Sequence, residues 1–420
     1  MLNASLSPPL PSKQAMIRLL RSGDWLTADR IRAVALVSLA LGSLSLLYLL
    51  VTSQGTLDAW GRPLGTDFSN VWTAGQMALD GRAAAAWDWA AHYQVQQVAH
   101  RDPGVPFYGW HYPPPFLLLA ALLGALPYLA ALFVWQAASL WAAAKTFGAI
   151  LPGRNALLVA LGAPVVLVCL THGHNGFLTA ALLGGGLLLL DRKPLLAGLL
   201  FGCLIYKPQF ALVVPLLLLA GLHVRAIVGA GLSAALLVGA TLVIWDWPVW
   251  QAFLDSLPLT RQIVIEQGET GWFKIQSPFA WVRMWGGALP LAYAVQAAAT
   301  LAAMGAVLWL TRAARPHLRN AVVCAAAMLS TPYVLDYDLV VLGLGAAFLA
   351  ADAIERGWLP WEKSLLALIW LAPLLSRTLA EAALVPLGQA SIVILLVLAV
   401  RRTLAGNRLA LPAGPLPSRS

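Results

Sequence analysis

Charge is what this chain has least of. Asp, Glu, Lys and Arg make up 11% of its 420 residues, where a soluble domain carries about 25%. So few charged groups cannot clothe a water-soluble fold of this size, and 60% of the residues are hydrophobic. Cytosolic enzymes and secreted disulfide scaffolds are excluded. Acidic residues are the scarcer sign, 18 against 27 Lys and Arg, for a net charge of +9. In a soluble domain that balance would point to nucleic acid. Here the basic residues sit in short joints between apolar runs, as in the cytoplasmic loops of membrane proteins, and no nucleic-acid partner is expected. Only three cysteines occur, Cys169, Cys203 and Cys324, each inside an apolar run, so no disulfide is expected. The chain has no Walker A sequence and no GxGxxG after a strand, which argues against ATP or a nucleotide sugar as a direct substrate. It also lacks an internal repeat. No cleavable signal is evident, because the first apolar run begins near Ala33 and is too long and too far in.

What the chain does have is a series of apolar runs of 13–24 residues, the pattern of an all-α polytopic membrane protein. Twelve candidate spans are read at 33–53, 127–149, 155–172, 174–190, 194–206, 208–222, 226–245, 288–311, 320–335, 337–351, 363–376 and 384–400. A thirteenth run, 113–126, follows three prolines and is short. With the N-terminus cytoplasmic and 113–126 not crossing, the inner segments hold 19 Lys and Arg against 6 Asp and Glu, and the outer ones 8 against 12. That matches the positive-inside rule. A crossing at 113–126 would turn Arg312, Arg315, Arg319, Arg401 and Arg402 outward, so this run reads as a half-helix in the outer interface. Both termini are then cytoplasmic. Residues 1–32 form a basic segment whose Met16–Arg32 stretch is partly amphipathic and suits the inner leaflet. Residues 33–403 form one transmembrane domain with long outer loops at 54–112 and 246–287. The Pro/Gly-rich composition of 404–420 points to disorder. A loop as long as 54–112 greatly exceeds the usual 2–8 residues between bundled helices and suggests function.

Polar residues at the membrane edge are costly, which makes them functional candidates. Asp67, His111 and Tyr112, His172 to Asn175, Lys207 with Gln209, and Asp336 with Asp338 all fall on the outer side of this topology. The inner joints are plain basic anchors. The site therefore faces away from the cytoplasm.

Lys207 lies between arms of 13 and 15 residues, about 20 Å of helix each, against a hydrocarbon core of about 30 Å. A lysine stopping short of the surface needs an anionic partner, for which a lipid phosphate is a natural choice. Snorkelling to the headgroups is the alternative. Asp67 is either a general base or the cap of a helix starting at Phe68. Asp336 and Asp338 are equally site residues or caps. His111 and His174 read first as hydrogen-bonded structural histidines, and the His-Gly-His spacing is too weak a signal for a metal site. Trp60, Trp72, Trp87, Trp89 and Trp110 suit an interface belt, with sugar stacking the other possibility.

Five stretches taken in order carry a resemblance: DFSNVWTAGQMALDG, YGWHYPPPFLLL, HGHNGFLTAALLGGGLLLLDRKPLLAGLLFG, IYKPQFALVVPLLLL and STPYVLDYDLVVL. Together, over about residues 60–345, they resemble glycosyltransferase family 87, of the GT-C class of integral-membrane glycosyltransferases. The resemblance implies a GT-C-type bundle of about twelve transmembrane helices, with short helices in the long outer loop after the first span. It also implies a polyprenyl-phosphate sugar donor, a hexose as the transferred group with mannose the expected one, and inversion at the anomeric carbon. The acceptor would be a glycolipid or polysaccharide at the outer face of a bacterial cell membrane. On this resemblance Asp67 is the catalytic base and Lys207 with Gln209 belongs to the donor-phosphate segment. His174, Asn175, His111, Tyr112, Asp336 and Asp338 complete the expected substrate site, with no cofactor or metal. The sequence departs from the family pattern at His174-Asn175, where related chains often read GQN. The alternative function is a transporter or flippase of lipid-linked saccharides. That function would call for midplane polar residues reachable from both sides and often for inverted repeats, neither of which the sequence contains.

Overall fold

The computed structural model describes residues 12–410 and is helical throughout, with no strand among the described residues. An exposed amphipathic helix α1 (Lys13–Ser22) leads into α2 (Ala28–Val51). The long loop after α2 carries α3 (Phe68–Leu79) and α4 (Trp89–His100) and ends in α5 (Pro114–Gly124). There follow α6 (Tyr128–Ile150), α7 (Arg154–Leu161), α8 (Pro164–His172), α9 (Gly176–Leu189), α10 (Pro194–Cys203), α11 (Pro208–Ala211), α12 (Val214–Ala220) and α13 (Val224–Thr260). The last part comprises α14 (Pro278–Met284), α15 (Leu289–Ala313), α16 (Pro316–Leu329), α17 (Val340–Arg356), α18 (Glu362–Ala383) and α19 (Leu387–Ala410).

Six of these helices are long and apolar enough to cross a membrane, or seven if α7 and α8, which meet at a 50° bend, make one span. That marks a polytopic membrane protein; among the described residues six or seven helices, rather than twelve, meet the length and apolarity of a full span. The apolar runs at 174–190, 194–206 and 208–222 form short helices, and 113–126 forms the short α5 expected of a half-helix. The cause is local. Proline occupies the first turn of α5, α8, α10, α11 and α12, where its fixed φ and missing N–H are tolerated, and it breaks whatever helix precedes it. The 14 residues of α9 reach only about 21 Å.

The second long loop is largely helical as well. α13 passes beyond the expected end of its span through a break at Asp246, where φ is 60° and ψ −175°. Pro248 falls just after that break, in the first turn of the resumed helix, so it does not end α13. A π-helical turn (Arg261–Glu266) and α14 complete the segment. At the C-terminus α19 runs to Ala410, and the rest of the 404–420 tail lies outside the described residues, as do residues 1–11.

α16 and α17 form the buried centre. Every residue of α16 from Leu318 to Leu329 is buried, and so is most of α17. α2 is peripheral and buries only Ala35 and Gly42. One end of the bundle is locked by ion pairs. Asp352 accepts from Arg315 at 2.7 Å and Arg402 at 2.6 Å, and Arg402 also reaches Glu362 at 2.7 Å. Helices α17 to α19, with the residue preceding α16, thus meet around two buried carboxylates. The other end holds the candidate site.

Candidate active site

Three breaks in the helical pattern bring the site residues together: the turn before α3, the α8–α9 junction and the non-helical stretch between α16 and α17. Asp67 lies at the first. Its backbone N–H donates to the His172 carbonyl at 2.9 Å, which ties the long loop to the end of α8. The close approach depends on Gly173 at φ 62°. A Cβ there would sit 2.6 Å from the Phe68 Cβ and 3.1 Å from the Gly65 Cα, so no L side chain fits. Gly75 performs a similar service between α3 and α5, where an added Cβ would collide with the Ala120 carbonyl.

Asp67 occupies the N-cap position of α3 but makes no side-chain capping bond. The cap alternative is thereby removed. Its carboxylate feels the charges of His172, Asp336 and Lys274 and lies near the Tyr337 side chain, with no ion pair among the described residues. Burial pushes the Asp67 pKa up from the ordinary carboxylate range, with His172, Tyr337 and Lys274 opposing and Asp336 adding to the shift. The residue nonetheless keeps partial access.

Around Asp67 lies a layer of charged and polar groups. His172 Nδ1 is 2.7 Å from the Val168 carbonyl, which can only accept, so Nδ1 carries the proton. Its Nε2 accepts from Arg377 Nη2 at 3.2 Å. Arg377 Nε also donates to Asp336 at 2.7 Å. Lys274 is half-buried and forms no ion pair among the described residues. Its pKa is lowered by burial and then by Arg377, while Asp67, Asp336 and Glu381 pull it back up.

Beneath this lies a second, more enclosed layer. Lys207 is 2% exposed, and its ammonium pairs with Asp338 and donates to Asn175 Oδ1 at 3.0 Å. The anionic partner that a lysine at this depth requires is therefore present in the protein itself. Asp338 Oδ2 also accepts from the Leu335 backbone at 3.0 Å. His174 lies 4.0 Å from Asp338 and stacks on Tyr337 with ring centroids 3.5 Å apart. Tyr112 meets its Nε2 at 3.1 Å. Tyr337 thus joins the two layers, with its ring on His174 and its side chain at Asp67.

Of the residues named from sequence, Asp67 and Asp336 belong to the upper layer. His174, Asn175, Lys207, Tyr112 and Asp338 belong to the lower. Gln209 shares the turn of Lys207 but makes no side-chain hydrogen bond among the described residues. His111 lies apart. It meets Thr260 at 3.2 Å and the Trp89 ring edge-on, and burial lowers its pKa to about 4. Three members were not singled out. Lys274 lies in the 246–287 outer loop, and Arg377 just past the candidate span 363–376. Tyr337 lies between two of the expected aspartates. A lone arginine closing the run 363–376 was the available signal, because such a charge faces the bundle interior. Among the described residues no group of three His, Cys, Asp or Glu side chains is placed to hold a metal ion.

No curated protein and no solved structure matches the chain. One family model does, over residues 110–332. That stretch includes His111, Tyr112, His174, Asn175, Lys207, Gln209 and Lys274 but not Asp67, Asp336, Asp338 or Arg377. The match covers just over half of the sequence, and the chain belongs to glycosyltransferase family 87.

Proposed function

We propose that the protein transfers a hexose, mannose in the first instance, from a polyprenyl-phosphate sugar to an acceptor hydroxyl on a glycolipid or polysaccharide. The observation that carries this reading is the presence at one end of the bundle of Asp67, a carboxylate with no cap bond and no salt bridge among the described residues, and Lys274, a half-buried cation with no ion pair among them, each within electrostatic range of the other. A direct displacement needs two things of the protein. The acceptor hydroxyl must lose its proton, and the departing phosphate must be held as an anion.

Asp67 is the base. Its raised pKa makes it a stronger proton acceptor than an exposed carboxylate, and its partial access admits a hydroxyl. The oxygen attacks the anomeric carbon as the bond to the phosphate oxygen breaks, and the bonding pair leaves with the phosphate. A single carboxylate suffices, and the configuration inverts. Lys274 and the Arg377 guanidinium, which is about one third exposed, hold the leaving phosphate. Arg377 is oriented by Asp336 and by the His172 tautomer. The Lys207–Asp338 pair with His174 forms a charged floor that fixes Tyr337. In this reading the site end faces the outside of a bacterial cell membrane, in keeping with the charge bias of the loops.

The test is product analysis by mass spectrometry on membranes supplied with a labelled polyprenyl-phosphate sugar. Wild type is expected to transfer the label, and Asp67→Asn to lose turnover by about 10²–10⁴-fold with the fold and donor binding kept. Wild-type turnover by the Asn variant would remove Asp67 from the chemistry.

A further inference from the structure

At the end of the bundle away from Asp67 lies a cavity of about 730 Å³, within the size range of small-molecule sites. It opens between α2, α6 and α7 on one side and α17 and α18 on the other. Leu140, Phe147, Val159, Ala347 and Leu366 are among its apolar walls. Along α17 it extends from Val340 to Ala350, about 15 Å at 1.5 Å per residue. That is the depth of one leaflet of a hydrocarbon core about 30 Å thick.

The polar groups of the cavity gather at its rim. Arg30 and Lys363 stand there with Trp25 and Trp358, the cation and indole pairing of a headgroup level. Arg30 Nη1 donates to the Trp25 carbonyl at 2.9 Å, and Lys363 Nζ sits 5.9 Å over the Trp358 ring. Neither cation has a carboxylate partner among the described residues. The carboxylates of this end are engaged elsewhere or point to solvent. Glu362 is held by Arg402 and Arg401, and Asp352 by Arg315 and Arg402. Asp24, Asp29 and Glu355 are exposed.

From this geometry we infer a binding site for an anionic phospholipid of the leaflet at the Arg30 end. The headgroup phosphate lies between Arg30 and Lys363, and an acyl chain fills the cavity down to Val165, Phe177 and Val340. A polyprenyl chain fits this cavity poorly. Its phosphate would be at the far end, beside Asp67, which leaves the two cations without an anion. The lipid also supplies packing that α2 otherwise lacks, since α2 buries only Ala35 and Gly42. The site is thus a structural one, independent of the transfer reaction.

The test is native mass spectrometry of the full chain in mild detergent. It is titrated with phosphatidylglycerol, with phosphatidylcholine of the same acyl chains, or with undecaprenyl phosphate. Wild type is expected to retain one phosphatidylglycerol with about tenfold or greater preference over phosphatidylcholine, the size expected of two interfacial cations. The Arg30→Gln/Lys363→Gln variant, altered only at the rim, is expected to lose that preference. Ala347→Phe, which fills the cavity, is expected to lose both phospholipids. Equal retention of the two phospholipids by wild type would overturn the proposal, as would a preference surviving in the rim variant. Retention of undecaprenyl phosphate in place of phosphatidylglycerol would assign the cavity to the donor tail instead.

Discussion

Lys207→Met tests whether the lower layer is held by its ion pair. The substitution keeps the apolar stem and removes the charge. Asp338, 1% exposed, is left with its carboxylate buried. Removing one partner of a buried pair costs about 3–5 kcal/mol. Asp338 keeps its bond from the Leu335 N–H, which places the expected loss near the low end, about 3 kcal/mol. For a chain of this length the unfolding entropy scales to about 1 °C of Tm per kcal/mol, so Tm should fall by about 3 °C. Asp338→Asn alone should also destabilise, because it leaves the ammonium with only Asn175 and the new amide. The decisive variant is the double, Lys207→Met with Asp338→Asn, which removes both charges together. Its loss should be smaller than the sum of the single losses, since no charge stays buried alone. The measurement is thermal unfolding of the four purified proteins in one detergent, followed by intrinsic fluorescence. Additive losses would refute the pairing. A Lys207→Met protein with unchanged Tm and weakened donor binding would move Lys207 into the phosphate site.

Lys274→Met is expected to weaken donor binding by about 10- to 150-fold, the worth of a charged hydrogen bond, with Tm little changed because it has no ion pair to lose; equal donor affinity in nanodiscs would exclude it from the phosphate site. Since burial raises the Asp67 pKa, its basic form is lost as pH falls through that raised value. The acid limb of kcat is therefore expected above the ordinary carboxylate range, and a limb at or below pH 4 would contradict the enclosed base. Orientation is checked with Arg82→Cys and Arg312→Cys, both at exposed positions, and a membrane-impermeant thiol reagent on intact cells. Position 82 should label and position 312 stay silent, and the reverse pattern would place the site in the cytoplasm.

Composition and the lengths of the apolar runs determined that the chain is a helical membrane protein, because so few charges cannot solvate a water-soluble fold and the runs are of helical length. The ordered polar stretches pointed to the family, and the short arms flanking Lys207 pointed to an anionic partner for this lysine, with snorkelling to the headgroups the alternative. Depth follows from chain length, so it is legible one residue at a time. The identity of that anion was not legible. Asp338 is 131 residues away, and only the packing of α17 against α9 and the Lys207 turn makes it the partner. The same holds for Asp67. Cap and base are locally equivalent readings of Thr-Asp-Phe, and only the folded chain shows that the side chain makes no capping bond. Arg377 and Lys274 sit in an ordinary helix and an apparent loop, and they become candidate site residues only because α18 and the 246–287 segment return to the same end of the bundle. The number of full-length spans was not legible for a related reason. A run of apolar residues reports burial, but prolines at helix starts and the tertiary enclosure of short helices decide whether that burial is in lipid or in protein.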